Sequence, residues 1–148
     1  MFDRNEIEIL QVALAHEERA RAWYDREAEA RKRTPAGALF DFLAAEEAGH
    51  IRKLSARFEI PETEATWDHR FLPSLIDLEK IAREAEETES DPLRRALSVA
   101  QAAEERAVEF YGTAAETVSD RNTRELLLAL REEERIHLAR IEEFREKI

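Results

Sequence analysis

The sequence predicts an all-α protein, a four-helix bundle made from one helix hairpin present twice. Three observations predict it. Apolar residues recur at alternating steps of three and four along most of the chain, the signature of a helix with one buried stripe. Only three Gly and four Pro occur among 148 residues, while Ala, Glu, Arg and Leu abound, and those residues favour helix. Finally, the chain aligns with itself without a gap at a shift of 87 positions, which marks a duplicated hairpin rather than an extended array.

The elements follow in order. A first helix is expected from Asp3 or Asn5, either of which caps an N-terminus, to the basic run Arg31-Lys32-Arg33. Its stripe is Ile7, Leu10, Leu14, Glu17, Arg21, Tyr24 and Ala28. Thr34-Pro35 supplies a cap and a first-turn proline for the second helix. That stripe runs Leu39/Phe40, Leu43, Glu47, His50, Leu54 and Phe58, and Pro61 closes it. Residues 61–90 are a long crossover carrying Trp67, Phe71, Leu72 and Pro73. A helix is expected there from about Ser74 to Thr88, with Leu75, Leu78, Ala82 and Ala85 on its apolar face. Asp91-Pro92 opens the third long helix, with stripe Leu93, Leu97, Ala100, Glu104, Ala107/Val108, Tyr111, Ala115 and Val118. Ser119 or Asp120 caps the fourth, with stripe Leu127, Leu130, Glu134, His137, Ile141 and Phe144. The expected organisation is one domain over 1–148, with hairpins at about 3–60 and 91–148.

The repeat superposes chemistry as well as pattern. Glu17-Glu18-Arg19-Ala20 meets Glu104-Glu105-Arg106-Ala107, Tyr24 meets Tyr111, and Glu46, Glu47 and His50 meet Glu133, Glu134 and His137. Each stripe is interrupted by one Glu, and two of them add a His three residues on, on the same helix face. Rotation of the helices would instead turn Glu18, Glu46, Glu105 or Glu133 inward. The spacing to the histidines favours Glu47 and Glu134, and the tyrosines seven residues on favour Glu17 and Glu104.

Four ionised carboxylates in an apolar core demand protons or a counter-charge. Two divalent cations would neutralise them. Carboxylate and imidazole without thiolate suit iron or manganese, with zinc also compatible. Tyr24 and Tyr111 lean back toward the carboxylates. They either hydrogen-bond and orient a ligand carboxylate or are ordinary core aromatics. Arg21 either pairs with a carboxylate or reaches solvent. His16 and His69 have no repeat partner and read as surface or structural residues, and Trp23, Phe110 and Phe58 as packing.

Composition removes other classes. A net charge of −11, from 23 basic and 34 acidic side chains, argues against nucleic acid as a partner. With no cysteine, disulfides, thiolate zinc sites, iron–sulfur clusters and thiol nucleophiles are excluded. The charged start Met1-Phe2-Asp3-Arg4-Asn5-Glu6 is unlike a signal peptide. No apolar run approaches the roughly 20 residues that cross a bilayer. A soluble, cytoplasmic protein is expected.

Glu17 with Tyr24, Glu47-x-x-His50, Glu104 with Tyr111 and Glu134-x-x-His137 resemble the ferritin-like di-iron proteins, and most of all the rubrerythrin branch. The resemblance extends over nearly the whole chain. It implies two irons held by Glu17, Glu47, His50, Glu104, Glu134 and His137. Glu47 and Glu134 would be the bridging carboxylates and Tyr24 and Tyr111 the supporting tyrosines. It also implies reaction with hydrogen peroxide or O2, as a peroxide reductase or ferroxidase, and a homodimer. Two departures accompany it. Without cysteine there is no rubredoxin iron, so a reductase would take electrons from an external donor. Many rubrerythrins carry a further Glu one turn after the third-helix ligand, where this chain has Ala107, so the redox-linked exchange of a His for that Glu has no carboxylate to use. The alternatives are a metal-binding or iron-handling module without turnover, and a plain bundle whose repeat is a relic.

Overall fold

The computed structural model describes residues 4–58 and 78–148. All five elements in them are α-helices, and no strand occurs among the described residues: α1 Arg4–Ala30, α2 Pro35–Phe58, α3 Leu78–Thr88, α4 Pro92–Thr117 and α5 Arg121–Glu146. The expected all-α class, with four long helices and a crossover helix, is what the chain adopts. The expectations for Trp67, His69, Phe71, Leu72, Pro73, Leu75 and the side chain of Phe58 lie outside the described residues. Among the described residues no helix is long and apolar enough to cross a membrane.

The chain divides into two compact units, Met1–Pro73 and Ser74–Ile148. In the first, α1 packs along α2 as an antiparallel hairpin. In the second, α4 packs along α5, and α3 lies against α4. Both cores use repeat-related positions. Leu10, Tyr24, Phe40, Leu43 and Leu54 are fully buried in the first unit, and their twins Leu97, Tyr111, Leu127, Leu130 and Ile141 in the second. Each such side chain contributes about 1.5–3 kcal/mol through its removal from water. α3 buries Leu78, Ile81 and Ala85, so Ile81 joins the face expected from Leu78, Ala82 and Ala85.

Local chemistry explains the helix ends. Thr34 caps α2: its Oγ1 accepts from the Gly37 amide at 3.0 Å and donates to the Arg31 carbonyl at 2.6 Å. Asp91 caps α4 by accepting from the Arg94 amide at 2.8 Å, with Pro92 in the first turn. Asp120, the second of the two expected caps, starts α5 by accepting from the Thr123 amide at 2.9 Å and its hydroxyl at 3.0 Å. Arg124 reaches back to close α4, donating to the carbonyls of Ala115 at 3.3 Å and Val118 at 2.8 Å. Such caps satisfy the amides and carbonyls a helix end leaves open.

The two hairpin turns differ by one residue. α1 and α4 end at twin positions, Ala30 and Thr117, but α2 starts at Pro35 and α5 at Arg121, one residue earlier in the repeat frame. The first turn takes up its extra residue by placing Arg33 at φ 67°, a left-handed conformation that costs a non-glycine residue roughly 1–2 kcal/mol. α2 then presses so closely on the end of α1 that a Cβ at Gly37 would stand 2.2 Å from the Arg31 carbonyl oxygen. Only glycine fits there.

Candidate metal centre

Each hairpin brings two carboxylates and one imidazole together in its buried layer. In the first, α1 contributes Glu17 and α2 contributes Glu47 and His50. In the second, α4 contributes Glu104 and α5 contributes Glu134 and His137. All six are at most 2% exposed. The neighbouring carboxylates behave otherwise: Glu18, Glu46 and Glu133 are half-buried and Glu105 is exposed. The helices are therefore rotated so that Glu17, Glu47, Glu104 and Glu134 face inward. Burial also holds the Glu18 carboxyl above its ordinary range, with the Arg21 charge opposing.

The two triads have similar geometry. His50 Nδ1 lies 3.2 Å from Glu17 Oε2 and 3.4 Å from Glu47 Oε2. His137 Nδ1 lies 3.8 Å from Glu104 Oε2 and 3.5 Å from Glu134 Oε1. Within each triad, one ligand atom from each residue lies within 4.8 Å of those of the other two. Burial opposes a charge on His137, but Glu104 and Glu134 outweigh it and raise its pKa to about 10. In the metal-free chain this imidazole thus carries a proton and serves as a counter-charge to its two carboxylates. A bound cation would take over that role and release the proton.

The donor sets fit iron. Carboxylate oxygens and an imidazole nitrogen, without thiolate, are the ligands that suit iron and manganese and admit zinc. A buried cluster of two carboxylates per imidazole favours a cation strongly.

The sequence profile of the Rubrerythrin family matches residues 8–145. This chain belongs to the rubrerythrin family. Its class is therefore the all-α ferritin-like one, and the buried carboxylate and histidine groups stand in a di-iron carboxylate protein. Comparison with curated proteins and with solved structures gave no match.

Other residues of this rubrerythrin take clear positions. Tyr24 and Tyr111 are fully buried. Ala107 and its twin Ala20 are buried as well, so both hairpins present a methyl group one turn after Glu17 and Glu104. Arg21 is at least half exposed and lies 3.9 Å from the Asp25 carboxylate, so it both reaches solvent and pairs with a carboxylate outside the buried layer. His16 is 4% exposed, which removes its surface reading and leaves the structural one. Glu6 and Ser55 are buried too. His16 gave no stripe signal because around residues 12–17 burial runs right round α1. Glu6 takes the buried position four residues before Leu10 where Ile7 was expected, and Ser55 lies beside the stripe residue Leu54 on α2.

Proposed function

We propose that this rubrerythrin is a di-iron oxidoreductase whose six buried ligands together hold a pair of irons and whose oxidising substrate is hydrogen peroxide or O2. The observation that carries the proposal is the twinned buried triad, Glu17/Glu47/His50 and Glu104/Glu134/His137. A single buried Glu-x-x-His fits an ordinary structural ion pair; two repeat-related triads in a family of di-iron proteins fit a metal pair. When bound, two ferrous ions supply the two electrons that, with two protons, reduce hydrogen peroxide to water.

The chain's own residues set the conditions for that chemistry. Four carboxylates balance the charge of two cations. His50 and His137 add imidazole nitrogen donors, His137 once its proton has left. Burial keeps bulk water away, which strengthens every charge interaction in the layer. Tyr24 and Tyr111 bring phenol groups toward the carboxylates from the same stripe, in position to orient them. The two hairpins are proposed to act as one domain over 1–148, in a cytoplasmic homodimer fed by an external electron donor.

Anaerobic loading with Fe2+ followed by rapid mixing tests the proposal. The expected result is two irons bound per chain and prompt oxidation of both. Faster reaction with peroxide than with O2 marks a reductase, and the reverse marks a ferroxidase. The proposal fails if iron does not bind, if binding is unchanged in Glu47→Ala and His137→Ala, or if bound Fe2+ resists both oxidants.

A further inference from the structure

Among the twin positions at which the two hairpins differ is the ring beside each tyrosine. Trp23 meets Tyr24 edge-on, with ring centroids 5.5 Å apart and planes at 70°. The twin pair, Phe110 and Tyr111, meets in the same way at 5.4 Å and 64°. A phenyl ring therefore satisfies the packing at this position. What indole adds is chemical: it gives up an electron to a strong oxidant, as phenol does and benzene does not. The first hairpin thus holds two oxidisable rings in contact where the second holds one.

The pair also spans the hairpin in a useful direction. Tyr24 is fully buried and lies seven residues, about 10 Å of helix rise, from Glu17. Trp23 is half-buried. Phe40 lies beside both, 5.8 Å from Trp23 and 6.1 Å from Tyr24 between centroids, and is itself inert to one-electron oxidation. The oxidisable rings therefore lead from the carboxylate layer toward the outside on α1.

We propose that Trp23 and Tyr24 form an exit route for a stray oxidising equivalent, carrying it from the buried ligand layer to the protein edge in the first hairpin alone. The route rests on the di-iron reading for the source of that equivalent, a reaction with peroxide or O2 that lacks one reducing electron. In the step, the Trp23 indole gives one electron inward by way of Tyr24 and releases its N–H proton to solvent, leaving a neutral tryptophanyl radical. A thiol outside the protein returns one electron and one proton and becomes a thiyl radical. The buried ligands, His50 among them, are spared.

Two measurements test this, the first without metal. Azide radical generated by pulse radiolysis oxidises tryptophan in the full-length metal-free chain. Trp67→Phe serves as the background, so that Trp23 is the one tryptophan. Tryptophanyl absorption should fall, and tyrosyl absorption rise, to a mixture in which both persist, because the exit route needs exchange in both directions. The tyrosyl rise should vanish in Tyr24→Phe but persist in Tyr111→Phe, and complete conversion to tyrosyl overturns the route. Conversion that survives Tyr24→Phe unchanged overturns the route. In the second measurement, the iron-loaded chain is treated with peroxide without reductant and mapped by mass spectrometry. Oxidation should concentrate on Trp23, and in Trp23→Phe it should shift to Tyr24 and His50. Damage to His50 equal in the parent and in Trp23→Phe overturns the exit role. Absence of bound iron would instead sink the di-iron reading and leave the radiolysis result standing.

Discussion

At the scale of single residues, His137 links the metal-free and metal-bound chains with opposite pH dependences. Its pKa of about 10 in the folded chain compares with roughly 6.5 for an unperturbed histidine. A pKa raised by folding stabilises the protein fully below about 6.5, and that contribution is lost as pH rises through about 10. Thermal melts of the metal-free protein should therefore lose stability between about pH 6.5 and about pH 10, and His137→Gln should show a shallower loss. With iron bound the sign reverses, because protons compete with the cation for the imidazole, so iron retention should weaken as pH falls. Equal pH slopes for the parent and His137→Gln would contradict this assignment. Much of this scale was legible in the sequence. Spacing to a histidine, or to a tyrosine seven residues on, picked the inward Glu from each Glu-Glu pair. His16 was not legible, because nothing in a residue's own spacing reports that a helix is covered on several sides.

At the scale of elements, the first hairpin turn carries more strain than the second. Gly37→Ala drives a methyl group into the Arg31 carbonyl, and neither backbone can yield without shifting α1 against α2. It should destabilise the protein by about 1–3 kcal/mol, as overpacking does, despite the better helix propensity of Ala. Denaturant unfolding would read this as a lower midpoint, and an unchanged midpoint would mean that the turn relaxes freely. In the second hairpin, Asp120→Ala removes an acceptor shared by the amide and hydroxyl of Thr123. The expected loss is about 1–2 kcal/mol by the same measurement. The caps Thr34, Asp91 and Asp120 were readable because a short polar side chain before a helical stripe has one strong local use. The left-handed Arg33 and the requirement at Gly37 were not, since both arise from one extra residue closing against a neighbouring helix.

At the scale of the whole molecule, folding and metal binding should be linked. A ligand that binds only the folded chain stabilises it by about 2.7 kcal/mol at a hundred times its Kd. Fe2+ loading under anaerobic conditions should raise Tm by several degrees, with chelation restoring the metal-free value. No shift on loading would show that the triads do not hold the ion. The fold class was legible because helical period, composition and the 87-residue repeat agreed. The reaction was less so, because twelve atoms of carboxylate and imidazole define a place for a cation, roughly speaking, more sharply than the oxidant that meets it.

The one-residue difference between the turns has a consequence for descent. A duplicated segment begins as two identical copies, and every later change is a departure visible against its twin. Here the ligands and tyrosines are identical in the two copies, while the core exchanges Phe40 for Leu127 and Leu54 for Ile141, and the turns and the ring beside each tyrosine differ. The middle of each hairpin therefore carries the same ligand set, and the two copies differ at their ends. The two copies are a natural experiment in which each records what the other could afford to change.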